Sequence, residues 1–260
     1  MIGILANQKG GVAKTTNTVH LGASLANKGF KTLLIDFDSQ CDLSHNIGVN
    51  ISDDEYNVID LLENSKEFSP LERAPNLFVV AGSLDFISNA YAINILKQVL
   101  EKDRNGFSIK NYFDFILIDC PPSKISNLSA SKKYNHSEIE LALFASDFFM
   151  IPLKADDFSV KNANTFLGKA TDFIKGNKLD IQFLGFFFSC ILLTENSLEY
   201  YTDMFKKSSS DLLLDSFIRQ DAEVKKAVQL GKTIFQHKPT CRAAEDYIML
   251  TNEFLNIIKK

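Results

Sequence analysis

The sequence NQKGGVAKTT at residues 7–16 contains two glycines, two lysines and two threonines. It follows a short apolar segment, residues 2–6, and opens a segment, residues 14–28, whose apolar side chains share one helical face. A glycine-rich loop between a strand and a helix can direct successive backbone N–H groups at phosphate oxygens, and the helix dipole adds to the attraction. The stretch therefore predicts a phosphate-binding loop within an α/β fold.

The residue types of this loop suggest separate chemical roles. The backbone N–H groups from Gly10 to Thr15 would hold phosphates, Lys14 would reach the β- and γ-phosphates, and the Thr15 hydroxyl would be a ligand for Mg²⁺. The residues that the loop and the start of the helix offer to a nucleotide are Gly10, Gly11, Val12, Ala13, Lys14, Thr15 and Thr16. The alternative is a glycine turn with helix-capping threonines, and the full K-G-G-x-x-K-T-T pattern argues against it.

Apolar segments of strand length recur along the chain, and longer amphipathic segments separate them. Strands are predicted at 31–38, 76–82, 112–120, 147–153, 181–193 and 215–218. Helices are predicted at 14–28, 84–102, 159–175, 196–208, 222–230 and 241–258, and the polar segment 123–140 predicts a surface loop with some helix. This alternation indicates a three-layer α/β fold, with a mostly parallel central sheet covered by helices on both faces. We expect a single domain over residues 1–260.

The composition argues against several functional classes. A net charge of −4 gives no overall attraction to nucleic acid, so DNA binding would need a local basic surface. The four cysteines and four histidines lack the spacing of zinc or iron–sulfur ligands, and free thiols favour a reducing compartment. The longest apolar segment, 183–193, is too short to cross a bilayer. We therefore expect a soluble, cytoplasmic protein.

Three aspartates stand where predicted strands end. Asp36 and Asp38 end the strand at 31–38, and the alternation of side chains along a strand should place both on the same face. Asp119 ends the strand in FILIDCPPS, at 115–123, and is expected to hold Mg²⁺ through water. Open α/β sheets bind ligands at the carboxyl ends of their parallel strands. The alternative role for each carboxylate is to cap a turn.

The lysine at the start of the motif, Lys9, distinguishes this loop from a standard phosphate-binding loop. K-G-G-x-x-K-T resembles the deviant Walker A motif of the ParA/MinD family of P-loop ATPases, and LLIDFDSQ, at 33–40, resembles the Walker A′ motif of that family. The resemblance implies a P-loop NTPase fold, ATP and Mg²⁺ as cofactors, and an ATP-dependent homodimer. It also implies that Lys9 reaches the nucleotide of the partner subunit, while Lys14 serves the nucleotide of its own chain.

The same resemblance assigns roles to the remaining site residues. The catalytic residues would be Lys9, Lys14 and Asp38, and the metal site would comprise Thr15, Asp36 and Asp119. Asp38 would orient or activate the attacking water, and Asp36 would support the Mg²⁺ shell or Lys14. Position 13, often glycine in the family, is Ala13 here. A positive φ at that residue would cost up to about 1 kcal/mol and affect nucleotide affinity and hydrolysis.

The segment 216–255 resembles the closing segment of ParA and Soj proteins, where an arginine at a strand end precedes a helix, a Gly-Lys turn and a final helix. Residues 206–260 carry ten Lys and Arg against seven Asp and Glu, a local balance of +3. Such a surface would contact DNA phosphates. The expected contacts are Arg219 foremost, then Lys225, Lys226, Lys232 and Arg242, with Lys206, Lys207 and Lys238 nearby. A solvated face of mixed charge is the alternative.

These features predict a slow, partner-stimulated ATP hydrolase that dimerises on ATP, binds DNA without sequence preference, and positions or segregates plasmid or chromosome DNA. Its expected partners are a second copy of the chain, non-specific DNA at the nucleoid, and a ParB-like or other cargo adaptor protein. The alternatives are a MinD-like membrane-associated positioning ATPase and a metabolic enzyme with ligase chemistry. The apolar stripe of the helix at 241–258 is followed by Lys259 and Lys260 alone, which favours packing on the core. No stable membrane association is expected.

Overall fold

The computed structural model describes residues 1–52, 55–103, 106–126, 135–192, 197–209 and 212–259, except for the side chains of 197 and 206–209. Its sheet has seven strands in the order β3-β4-β2-β5-β1-β6-β7. The strands are β1 (Ile2–Leu5), β2 (Thr32–Asp36), β3 (Leu71–Ala74), β4 (Leu77–Val80), β5 (Phe115–Asp119), β6 (Phe148–Leu153) and β7 (Gln182–Phe188). Strand β3 is antiparallel to β4 at one edge, and the other neighbours are parallel. The predicted mostly parallel sheet is confirmed.

The connections between the strands carry the helices. In the described ranges these are α1 (Lys14–Asn27), α2 (Asp42–Asn46), α3 (Val58–Glu63), α4 (Ile95–Glu101), α5 (Ile109–Tyr112), α6 (Glu138–Ala145), α7 (Asp157–Gly176), α8 (Ser197–Ser209), α9 (Ala222–Gln229), α10 (Ile234–His237) and α11 (Arg242–Ile258). A short 3-10 turn at Ser88–Ala90 precedes α4. Helix α1 ends one residue before its predicted limit, and Gly29 just beyond it adopts a positive φ of 92°, as is common after a helix.

The helices cover both faces because successive residues on the central strands point to opposite sides. In β5, Ile116 and Ile118 belong to one hydrophobic core, whereas Leu117 between them belongs to a second core on the other face. The first core includes residues of α4, α6 and α7, and the second includes residues of α1 and α11. Each fully buried side chain of this kind contributes about 1.5–3 kcal/mol of transfer free energy. The three-layer arrangement is confirmed.

The last helix, α11, packs on α1, the helix that follows the glycine-rich loop. Tyr247, Leu250 and Phe254 are buried in the second core, as expected for a helix packed on the core. Ile248 on the same helix is 40% exposed. Within the described ranges, the model contains no helix whose length and apolar character would let it cross a membrane.

Several predictions from periodicity are wrong. Residues 215–218 form no strand. The pairings on either side of them are two isolated bridges, from Leu213 to Phe186 in β7 and from Arg219 to Ile191 just after β7. The helix predicted at 84–102 is reduced to α4, because Tyr91 adopts an extended conformation. Strand β3 was not expected, because its sequence LERA is polar at two of four positions and lies at the edge of the sheet.

The polar segment 123–140 lies partly outside the described residues, which omit 127–134. At its end, Ser137 and Glu140 form a capping box that starts α6. The buried Glu140 carboxylate also accepts hydrogen bonds from the Ser126 amide, at 2.7 Å, and the Ser126 hydroxyl, at 2.6 Å. One buried carboxylate therefore joins the described residues on either side of 127–134.

Candidate nucleotide site

The glycine-rich loop runs from the end of β1, in the interior of the sheet, to the first residue of α1. Gly11 and Ala13 both have positive φ, 72° and 58°. No side chain caps α1, so the backbone N–H groups of its first turn remain available for an anion. The left-handed conformation that glycine would adopt freely is thus imposed on Ala13, at a cost of about 1 kcal/mol.

Lys14, the first residue of α1, turns back into the loop. Its side chain is buried, and its Nζ donates a hydrogen bond of 3.3 Å to the carbonyl oxygen of Lys9. Burial lowers the pKa of Lys14, and nearby Asp119, Cys120 and Asp38 oppose that shift. An ammonium between a phosphate-binding loop and two carboxylates is placed to bind a phosphate that approaches together with a cation.

Asp119 is a buried carboxylate at the end of β5, and neither of its oxygens accepts a well-formed hydrogen bond from a described residue. Burial raises the pKa of Asp119 well above its ordinary value, Asp36 raises it further, and Thr15 and Lys14 lower it. A bound cation would supply the missing partner, so Asp119 with the Thr15 hydroxyl fits Mg²⁺. Among the described residues, no group of three or more His, Cys, Asp or Glu side chains is arranged to hold a metal ion, so phosphate and water would complete the shell.

Asp36 and Asp38 lie close together at the end of β2, where the Asp38 amide donates a hydrogen bond of 3.4 Å to Asp36 Oδ1. Strand β2 ends at Asp36, and Phe37 just beyond it joins Leu33 and Ile35 in the first core, so the alternation of side chains continues past the strand end. The buried Asp36 carboxylate accepts hydrogen bonds from the Ser44 amide, at 2.9 Å, and the Ser44 hydroxyl, at 2.6 Å. Burial raises the pKa of Asp36 to about 7, although the bonds from Ser44 lower it. Asp36 therefore anchors α2, and its influence on a metal would pass through Asp119, its neighbour in the sheet.

Asp38 instead lines a cleft of about 420 Å³ above the loop. Its Oδ1 accepts a hydrogen bond of 2.9 Å from the Gln40 amide, and burial raises its pKa. The cleft is lined by Gly10, Gly11, Ala13, Lys14, Thr15, Thr16, Asp38, Asp42, Asn46, Cys120, Pro121 and Pro122. Of these, Asp42 and Asn46 on α2 were not predicted. Their spacing of four residues places both on one face of that helix, which the sequence alone had not marked as a helix.

The side chain of Lys9 is directed to the start of α7. Its Nζ lies 3.0 Å from Asp156 Oδ1 and 2.8 Å from the Ser159 hydroxyl, and it also stands 5.1 Å from the ring centre of Phe158. The Asp156 carboxylate caps α7 by accepting a hydrogen bond from the Ser159 amide. Lys9 is therefore paired within its own chain, beside the loop that carries it.

A second cavity, of about 600 Å³, adjoins the cleft and shares Ala13, Thr16 and Asn46 with it. It is lined by residues from the ends of β6 and β7, from α9 and from α11, including Lys154, Ala155, Cys190, Ile191, Gln220, Val224, Val228 and Tyr247. Its size is that of a small-molecule site. Its lining also includes Arg219 and Lys225, which were predicted to contact DNA. The cavity itself was not predicted, because segments distant along the chain form it.

A buried polar network lies behind the loop. The Tyr247 hydroxyl donates to Asn17 Oδ1 at 2.8 Å, and Asn17 Nδ2 donates to the Ser189 hydroxyl at 3.0 Å. These three residues come from α11, α1 and the end of β7. The network satisfies polar groups that would otherwise be costly to bury, and it fixes the final helix against the helix that follows the loop.

The basic residues proposed for DNA binding differ in their surroundings. The Arg219 guanidinium is held by Asp246, at 2.6 Å from Nη2 to Oδ1, with Nε donating to both carboxylate oxygens. Lys226 pairs with Glu223 at 2.8 Å. The exposed residues that form no ion pair with a described side chain are Lys225, Lys232 and Arg242. The side chains of 206 and 207 lie outside the described residues.

Known proteins resemble the chain throughout its length. Residues 1–183 match the family model described as AAA domain. A ParA family protein of Chlamydia pneumoniae is 30% identical over 268 residues, covering 96% of each protein. The chromosome-partitioning ATPase Soj of Treponema pallidum is 29% identical over 265 residues, covering 97% of this chain and 96% of Soj.

Solved structures share the fold. Apo McdA of Cyanothece superimposes with a TM-score of 0.77 at 21% identity and covers 98% of both chains. Cobyrinic acid a,c-diamide synthase of Mycobacterium smegmatis, with bound ADP and magnesium, has a TM-score of 0.77 at 22% identity, over 100% of this chain and 95% of the synthase. The family model spans most of the chain, and the motifs that carry Lys14, Asp38 and Asp119 meet at one site. This chain belongs to the ParA/MinD family of P-loop ATPases.

Proposed function

We propose that this protein binds ATP with Mg²⁺, dimerises on it, and hydrolyses it slowly to position DNA or another cargo. The observation that carries the proposal is the convergence of Lys14, Asp38 and Asp119 beside the uncapped start of α1. The buried ammonium of Lys14, the buried carboxylate of Asp119 and the backbone N–H groups at the start of α1 together provide the groups that bind a nucleoside triphosphate and its magnesium ion.

The two adjoining cavities suggest how the nucleotide lies. The triphosphate occupies the 420 Å³ cleft, where Lys14 and the amides of α1 hold it, and adenosine occupies the 600 Å³ cavity. Ala13 and Thr16 line both spaces, so the ribose sits near them. Bound Mg²⁺ would neutralise phosphate charge as the bond to the γ-phosphate breaks.

Asp38 is the proposed positioning group for the attacking water. It is 8% exposed, faces the cleft, and keeps one carboxylate oxygen fixed by the Gln40 amide. Phosphoryl transfer depends more on positioning and charge than on a strong base, so a fixed carboxylate suffices. Slow hydrolysis by the isolated chain follows if the site is completed only by a second subunit.

We propose that the second subunit completes the site with its Lys9. It projects from the loop at the edge of the cleft, and its pairing with Asp156 is partly exposed to solvent, with side-chain exposures of 22% and 40%. An exposed pair of this kind is worth about 0.2–1 kcal/mol, so a phosphate on a facing subunit can compete for the lysine.

We propose that the ATP dimer binds DNA and that a cargo adaptor protein stimulates its ATP hydrolysis. Because Arg219 is occupied by Asp246, the contacts are better sought at Lys225, Lys232 and Arg242. Two subunits joined by ATP would double the number of phosphate contacts and so raise affinity by avidity. On this proposal the protein acts in the cytoplasm, at the nucleoid.

The experiment that tests the proposal is nucleotide titration of the Lys14→Ala variant. A fluorescent ATP analogue should bind the natural chain and lose at least about tenfold in affinity for the variant, since a charge-assisted contact to phosphate is removed. The exposed Lys175→Gln variant is a matched control and should bind normally. Equal affinity of the natural chain and Lys14→Ala would reject the nucleotide site.

A further inference from the structure

We propose that Lys154 is a third phosphate-binding lysine, which contacts the polyphosphate of a nucleotide held by the loop of its own chain. The inference rests on the proposed ATP site and adds a residue that the sequence motifs do not include. Lys154 follows directly after β6, on the strand next to β1.

The position of the Lys154 ammonium supports this role. A β-carbon built on Gly11 would lie 3.8 Å from Lys154 Nζ, and no other described atom beyond its chain neighbours comes within 4 Å of that point. The ammonium therefore stands directly over the turn of the phosphate-binding loop. Lys154 also lines the larger cavity together with Ala13 and Thr16, where that cavity meets the cleft.

The charge balance around Lys154 points to an anion. Its Nζ forms no hydrogen bond or ion pair with a described residue, whereas Lys9 in the same loop region is held by Asp156. An ammonium has three donors and no acceptor, so it contributes to binding through phosphate oxygens more than through an adenine ring. The loop below it already gathers backbone N–H groups around the same space.

The two ends of one short segment thus engage the loop in different ways. Asp156 holds Lys9 at the edge of the loop, and Lys154, two residues earlier, covers the Gly11 turn. A nucleotide held by the loop would meet Lys14 at the start of α1 and Lys154 at the Gly11 turn. This arrangement predicts a preference for nucleotides with several phosphates over a monophosphate.

The test is calorimetric titration of the full chain with AMP-PNP, ADP and AMP, each with Mg²⁺. Lys154→Gln should weaken the binding of AMP-PNP and ADP about tenfold, as expected for the loss of one charge-assisted contact, and leave the affinity for AMP unchanged. Lys154→Arg keeps the charge and should stay within about threefold of the natural chain. Lys175→Gln removes an exposed lysine from α7 and serves as the control, and melting temperatures verify that each variant is folded.

The outcomes separate this inference from the proposed function. A natural chain that binds none of the three nucleotides would overturn the ATP site itself. Tight binding by the natural chain with equal affinities for Lys154→Gln would overturn the role of Lys154 and leave the ATP site intact. The role of Lys154 would also be overturned if Lys154→Gln weakened the binding of AMP and AMP-PNP equally. The same holds if Lys154→Arg lost as much affinity as Lys154→Gln.

Discussion

The ammonium of Lys9 lies 3.0 Å from the nearer carboxylate oxygen of Asp156, at the first turn of α7. Burial raises the pKa of Asp156, but hydrogen bonds from Ser159 and Lys9 outweigh it and lower the pKa below its ordinary value. The carboxylate is therefore charged at neutral pH and keeps the lysine within its own chain. To reach the nucleotide of another subunit, Lys9 has to leave Asp156.

Replacing the carboxylate should ease that release. Asp156→Asn keeps a side chain that can cap α7 but removes the charge that holds Lys9. We expect ATP-dependent dimers to form at about two- to fivefold lower protein concentration, in line with the small free energy of an exposed pair. Analytical ultracentrifugation with AMP-PNP measures this, with Asp172→Asn on the same helix as the control. An unchanged midpoint would show that the pair does not restrain Lys9.

Asp119 should govern the response of the protein to magnesium. Neither Asp119 oxygen accepts a well-formed hydrogen bond from a described residue, so Asp119→Asn removes the carboxylate ligand and breaks no such bond. Mg²⁺ should strengthen ADP binding by the natural chain and have an effect at least about tenfold smaller on the variant. The measurement is ADP titration with Mg²⁺ or with EDTA. The same magnesium dependence in both chains would contradict the assignment.

His20 should make the fold sensitive to acid. The buried imidazole accepts a hydrogen bond of 3.4 Å from the Ile234 amide and lies on the Tyr247 ring, and burial lowers its pKa to about 3. The unfolded chain, with a pKa near 6.5, binds the proton more readily, so stability is present above pH 6.5 and is lost as pH falls towards 3.

The His20→Gln variant isolates this effect. The free-energy difference between the natural chain and the variant should shrink by about 2 kcal/mol between pH 7 and pH 5, because the glutamine does not titrate. Urea unfolding at the two pH values measures both chains. A difference that stays constant would mean that the imidazole is charged, or reaches solvent, in the native state.

Lys225 and Lys232 should carry DNA affinity without supporting the fold. Both are exposed and form no ion pair with a described side chain, so the double change to glutamine should leave the melting temperature unchanged. Binding of the ATP dimer to any duplex should weaken, with the slope of log affinity against log salt reduced by about 0.9 for each lost contact. Interferometry on two unrelated duplexes tests this. Normal DNA binding by the double variant would place the interface elsewhere.

The parts of the site that lie close together in sequence were predictable. The loop at residues 7–16 was identified from local chemistry, because one short segment contains every group involved. Asp119 was likewise identified from an apolar strand that ends in a carboxylate and two prolines.

The parts that depend on tertiary contacts were not predictable. The hydrogen bonds from Ser44 to Asp36 were not predictable, because they depend on where α2 lies against the end of β2. Arg219 was predicted to be the main DNA contact, but the fold brings Asp246, 27 residues away in sequence, against its guanidinium. Lys154 lies beside the loop because β6, which precedes it, pairs in parallel with β1, which precedes the loop.

The central claim, a dimer in which each subunit completes the site of the other, is tested most directly by mixing two inactive variants. Lys9→Ala lacks the lysine proposed to act in the partner's site, and Asp38→Ala lacks the group proposed to position water in its own cleft. In a mixed dimer, the Lys9→Ala subunit keeps its own Lys14 and Asp38 and receives Lys9 from the other chain. We predict that ATP hydrolysis, nearly absent in each variant alone, reappears on mixing and peaks near equal amounts. Hydrolysis that stays at the sum of the two separate variants at every ratio would contradict a shared site.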